Sequence, residues 1–205
     1  MLIRAFVGCA ALSCLVGCGD GPDSQSANLS GPSGVSDVSI AETSRAFTAS
    51  ANASTDVKVN MQDACDPNTF NAVLGAGTCV RNGGVKFDDF ISQLTRLGSV
   101  GSWHFAPKMV NARTGERFLV VNRGGEVHTF TEVEEFGGGI VDDLNELSHL
   151  PTVAPECLSL EPDDFVAPGQ TYEEDIEEAG EEKYQCCIHP WMRLNARVSE
   201  APGRK

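Results

Sequence analysis

The sequence predicts an all-β fold, an antiparallel β-sandwich with a small helical elaboration on its N-terminal side. Two observations carry this expectation. After Trp103, short apolar or alternating runs recur, each punctuated by Gly or Pro. Before it, Phe87, Phe90, Ile91, Leu94 and Leu97 recur at helical spacing and stop at Gly98, which marks one short amphipathic helix. The chain has 205 residues, 41% of them apolar, enough for one domain of ordinary size plus tails. No internal repeat is visible.

Residues 1–17 read as a lipoprotein signal peptide. Arg4 supplies the positive start, and the apolar run from Ala5 to Gly17 is too short to span a bilayer but suits a signal core. It ends in Leu15-Val16-Gly17-Cys18, which resembles the bacterial lipobox. That resemblance implies cleavage before Cys18 and a diacylglycerol on its sulfur. Each buried methylene of the lipid would contribute about 0.8 kcal/mol to anchoring. The expected location is therefore outside the cytoplasm, lipid-anchored to a bacterial membrane and facing the periplasm or cell exterior.

Residues 18–55 are rich in Ser, Gly, Ala, Asn and Asp, and read as a flexible tether. Residues 56–102 form the N-terminal elaboration. Val57 to Met61 alternates like a strand, Cys65 and Cys79 stand close enough for a disulfide worth about 3 kcal/mol on the chain-entropy model, and the helix follows. Nothing in this stretch is expected to carry chemistry.

Residues 103–200 form the main domain. Phe118 to Asn122 is an apolar strand between Gly115 and Gly124-Gly125, and Glu126 to Thr131 alternates beyond that turn. Phe136 to Pro168 reads as a long irregular connection. Gln170-Thr171-Tyr172 opens another strand, Ala179-Gly180 turns, and Lys183 to Cys187 forms the next.

Charge and cysteine content narrow the function. There are 29 acidic against 15 basic residues, a net of −14. Nucleic acid is excluded as a partner, since phosphate binding needs a basic surface. The acidic run from Glu173 to Glu182 reads as a solvated strand and turn, or as a docking patch for a basic protein partner. With Cys9 and Cys14 in the signal and Cys18 on lipid, five cysteines remain: Cys65, Cys79, Cys157, Cys186 and Cys187. Two disulfides leave one thiol over, pointing to a metal ligand or a reactive thiol.

The chemistry lies in Cys186-Cys187-Ile188-His189-Pro190-Trp191-Met192. Type 1 copper takes a thiolate and two imidazoles in a trigonal arrangement, with a weak axial thioether. A strand that ends at Cys and turns sharply presents Cys, His and Met to one point, and Pro190 restricts that turn.

These residues resemble the cupredoxins, the plastocyanin/azurin family of blue-copper proteins. The short loop, with Pro after His and an aromatic before Met, looks most like that of amicyanin. The resemblance covers roughly Trp103 to Val198, and implies a Greek-key, cupredoxin-like sandwich. Gly124-Gly125-Glu126-Val127-His128 matches the context of the family's upstream histidine. The implied ligands of one type 1 copper per chain are thus His128, Cys186, His189 and Met192. Thr129 stands where many cupredoxins carry an Asn that pins the ligand loop. Of the paired cysteines, Cys186 has the family's spacing to His189. Alternation turns Cys187 to the other face, where Cys157 is its expected partner. His104 and His149 are read as structural or surface residues, and Trp191 as a shield for the site.

The implied function is one-electron transfer between periplasmic or cell-surface redox proteins, by a monomer that is not an enzyme. With four histidines in the chain and two assigned, too few imidazoles remain for a copper cluster or a second catalytic copper. The alternative is copper storage, delivery or sensing, and a third reading is an interaction domain without redox function.

Overall fold

The computed structural model describes residues 56–203. The expected signal peptide, the lipid-attachment residue Cys18 and the tether lie outside the described residues. Among the described residues no helix is long and apolar enough to cross a membrane.

Two four-stranded sheets form the body. The first contains β1 (Asp56–Gln62), β2 (His104–Ala106), β4 (Arg117–Asn122) and β8 (Thr171–Asp175), in the order β2-β1-β4-β8. The second contains β3 (Met109–Arg113), β6 (Thr131–Glu132), β9 (Gly180–Gln185) and β10 (Arg193–Ser199), in the order β3-β10-β9-β6. A short ladder joins β5 (His128–Thr129) to β7 (Phe165–Val166). The period of two decides which side chains enter the core: β4 buries Phe118, Val120 and Asn122, and β10 buries Leu194, Ala196 and Val198. Aromatic residues from both sheets meet between them. Phe118 of β4 packs edge-on to Tyr184 of β9 at 5.0 Å, and Phe130 stacks on Tyr184 at 4.4 Å. Burying each such large side chain contributes about 1.5–3 kcal/mol, so this seam binds the sheets.

The described residues thus form the expected all-β sandwich with a helical elaboration. Each sheet also holds one parallel pair, β1 with β4 and β3 with β10. Alternation within a strand cannot reveal this, because partner direction depends on connections made elsewhere in the chain. The pairing of β1 also corrects the division at Trp103. β1 lies between β2 and β4, so residues 56–62 belong to the sandwich, and the elaboration proper runs from Asp63 to Ser102.

That elaboration is a helical layer. α1 (Pro67–Leu74) starts where the Asp66 side chain accepts the Thr69 N–H and Pro67 occupies the first turn. α2 (Phe87–Leu97) has Asp88 and Asp89 in its first turn, Arg96 in its last, and left-handed Gly98 at its end. It buries Phe90 and Leu94, four residues apart on one face. The Cys65–Cys79 disulfide closes the loop that contains α1. Phe70, Phe90 and Trp103 pack together, with ring centroids 4.8–5.8 Å apart.

The connection 136–168 is less irregular than expected. It contains α3 (Asp142–Leu147) and two single turns of 3-10 helix, Pro155–Leu158 and Pro162–Asp164. The run Glu126–Thr131 is divided at Phe130, which turns into the core while β5 and β6 pair with different strands.

Candidate metal centre

Cys186 follows directly on β9 and His189 lies three residues later, in a tight loop ending at β10. The loop is closed by its own backbone: Met192 N–H donates to the His189 carbonyl at 2.9 Å, and Cys186 N–H donates to the Met192 carbonyl at 3.1 Å. Pro190 limits the conformations in between. His128 enters from β5, which β7 holds through the pair His128–Val166.

These elements bring three donors together. Cys186 Sγ lies 3.8 Å from His128 Nδ1 and 3.9 Å from His189 Nδ1. His128 and Cys186 are wholly buried, and His189 is 4% exposed. Among the described His, Cys and acidic residues, this trio is one of two groups close enough to share a metal ion. The other, Asp63 with Cys65 and Glu126, has its sulfur committed to a disulfide. The separations fit a trigonal ion. Bonds of about 2.3 Å to sulfur and about 2.05 Å to nitrogen, typical of zinc-like ions, set at 120°, put S and N about 3.8 Å apart. Met192 is wholly buried at the end of the same loop and belongs to the same core cluster as Cys186. His104 in β2 and exposed His149 stand outside the trio.

The sulfur is prepared for an anionic role. It accepts backbone N–H groups from Thr129 and His189, both at 3.4 Å. Burial pushes the metal-free Cys186 thiol up, but its contacts with the two imidazoles outweigh that and hold it well below the usual thiol range. Cys187 faces away and bonds Cys157, leaving Cys186 as the free cysteine among the described residues. Thr129 does pin the ligand loop: its Oγ1 accepts the Cys187 N–H at 2.8 Å.

Each imidazole also meets a buried carboxylate on the side away from the sulfur. His128 Nε2 lies 2.9 Å from Asp63 Oδ2, and His189 Nε2 lies 3.7 Å from Glu126 Oε2. Asp63 follows β1 and also accepts the N–H groups of Gly125 and Glu126. Only glycine permits this approach, because a Cβ on Gly124 would overlap the Asp63 carboxylate and one on Gly125 would press on Cys65 and Arg81. Burial raises Asp63, yet the His128 contact and those two N–H groups carry it down to about 2. Burial lowers His128, but Asp63 and Cys186 bring it up to about 9 in the metal-free protein. Glu126 is pushed up by burial, opposed by His189 and by the Trp103 Nε1–H donated to its Oε2 at 2.7 Å.

Sequence reasoning missed both carboxylates. Glu126 was within reach, since it lies two residues before His128 in an alternating run and so on the same side. Asp63 was not, because only the pairing of β1 with β4 brings residue 63 to the Gly124-Gly125 turn. Residues 56–102, expected to be without chemistry, therefore do contribute to the site. The outer wall is aromatic: Trp191 sits edge-on to His189 at 5.5 Å, with Trp103 at 6.5 Å.

No family model and no curated protein matches this chain. Similar solved structures include a purple cupredoxin from Nitrosopumilus maritimus, 15% identical, covering 70% of this chain and 100% of its own, with a TM-score of 0.40. An oxidised plastocyanin from Dryopteris crassirhizoma is 14% identical over 70% of this chain and 100% of its own, at a TM-score of 0.36. A Cu(I) amicyanin mutant is 19% identical over 47% of this chain and 73% of its own, at a TM-score of 0.33.

Proposed function

We propose that the protein is a cupredoxin-like one-electron carrier with one type 1 copper, held by His128, Cys186 and His189 with Met192 as the axial donor. The observation that carries this reading is the convergence of one buried free thiol and two Nδ1 atoms at 3.8 and 3.9 Å. That donor set, two imidazoles and one thiolate with a thioether in the same loop, is the one type 1 copper takes. Copper bound there supplies a Cu(II)/Cu(I) couple. The chain's residues fix the donors: Thr129 and the loop's backbone bonds hold Cys186, Asp63 holds His128, and the helical layer with Trp191 keeps water from His189. Donors held this firmly need little rearrangement between the two charge states, which favours electron transfer over metal release.

The lipobox, the tether and the acidic surface complete the reading: a lipid-anchored monomer outside the cytoplasm, exchanging electrons with proteins that carry basic docking surfaces. The deciding experiment is a visible and EPR spectrum of the copper-loaded protein. Intense thiolate-to-Cu(II) absorption is expected, and Cys186→Ser should abolish it; a colourless Cu(II) complex would overturn the proposal. If the colour is present but copper passes readily to an apo acceptor while no redox protein exchanges electrons, storage or delivery replaces the carrier role.

A further inference from the structure

We infer that Asp63 is a positioning residue for the metal centre, and that it lowers the centre's reduction potential through His128, with Glu126 as a weaker counterpart at His189. The inference rests on the type 1 copper reading above.

Three observations support it. Asp63 Oδ2 is 2.9 Å from His128 Nε2, and the Asp63 side chain is 1% exposed. The carboxylate is itself held, by the N–H groups of Gly125 and Glu126 at 2.8 and 3.0 Å, so it cannot swing away. Finally, both glycines of the turn lack the Cβ that would displace it or its loop. The segment after α1 is fastened to the same turn, where Val80 N–H donates to the Gly125 carbonyl and Arg81 Nη1 donates to the Arg123 carbonyl.

The chemistry follows from which nitrogen is taken. An acceptor at Nε2 keeps a proton there, so Nδ1 presents its lone pair toward Cys186 Sγ. A carboxylate acceptor also makes the imidazole a stronger donor than a backbone carbonyl would. Cu(II) carries one more positive charge than Cu(I), so a fixed anion in a dry site favours the oxidised state. Glu126 acts in the same sense at His189, but from 3.7 Å and while sharing its oxygen with Trp103 Nε1. Its influence is accordingly smaller.

The test compares the copper-loaded wild type with Asp63→Asn and Glu126→Gln, both near-isosteric. At a fixed applied potential, Asp63→Asn should lower the Cu(II)/Cu(I) ratio tenfold or more, an upward shift of about 59 mV or more for one electron. Glu126→Gln should move it the same way by less. An unchanged potential in Asp63→Asn, or a larger shift in Glu126→Gln, would overturn the inference. A second readout needs no variant: in the Cu(I) wild type, NMR should find a slowly exchanging proton on His128 Nε2. Rapid exchange there would overturn the inference even if Asp63→Asn failed to fold. Absence of a type 1 spectrum in the wild type would instead remove the copper reading beneath it.

Discussion

His189, Met192 and Cys186 share one short loop, and their roles separate by what holds each atom. The two imidazoles and the sulfur have defined partners on more than one side. Met192 is tied by its backbone and by wholly buried packing. Leu occupies a similar volume, so Met192→Leu should cost less than about 1.5 kcal/mol in stability. The same change removes the thioether. The expected outcome is a nearly unchanged melting temperature together with an altered Cu(II) EPR spectrum, and identical spectra would take Met192 out of the donor set. At this scale the sequence was most readable where donors are close in the chain. C-x2-H-x2-M, the odd cysteine and the spacing of Cys186 to His189 needed no tertiary information. The contact between Asp63 and His128 spans 65 positions and had no local signal.

Elements were legible in proportion to their own patterning. α2 announced itself by apolar periodicity and a terminal Gly, and β4 and β9 by apolar or alternating runs between turns. α1 has a helix-start signature in Asp66-Pro67, but its eight residues bury only Phe70 and so show no apolar period. α3 was hidden in a Gly- and Pro-rich connection, where helical propensity is weak and packing decides. That connection is clamped to the ligand loop by Cys157–Cys187 and by Ile140 N–H bonding the Cys187 carbonyl at 2.7 Å. The disulfide encloses a separation of 30 residues. On the chain-entropy model its removal costs about 3.5 kcal/mol. Cys157→Ala with Cys187→Ala should therefore lower the free energy of unfolding, read by denaturant titration, by that amount while leaving Cys186 the free thiol. A stability loss below about 1 kcal/mol would show that hydrogen bonds alone hold the connection.

Across the whole molecule, charge is unevenly placed. Glu132, Glu174, Asp175, Glu177, Glu178 and Glu182 line one cavity of about 280 Å³ with Tyr184, between β6, β8 and β9. Burial, then the charges of Glu132 and Glu182, raise Glu174 to about 7 from an ordinary value of 4.5. Between those two values the folded state binds more protons than the unfolded state, so the Glu174 contribution to stability falls as pH rises through that window. Above pH 7 the cost is present in full; below pH 4.5 it is absent. Glu174→Gln should therefore raise the melting temperature at pH 8, by about 2–4 °C per kcal/mol of burial and repulsion cost relieved, and leave it unchanged at pH 4. An equal change at both pH values would assign the effect to packing instead.

The complete burial of the free thiol decides how the folded protein can be interrogated. Cys186 is wholly buried, and so is the imidazole of His128 beside it. A thiol-alkylating reagent added to metal-free protein therefore has no surface route to the free sulfur. It can react only in the fraction of molecules that have opened. The labelling rate of this one residue then reads out the opening equilibrium directly, as amide exchange does for a core strand. In Cys186 the buried core carries a built-in reporter of its own opening.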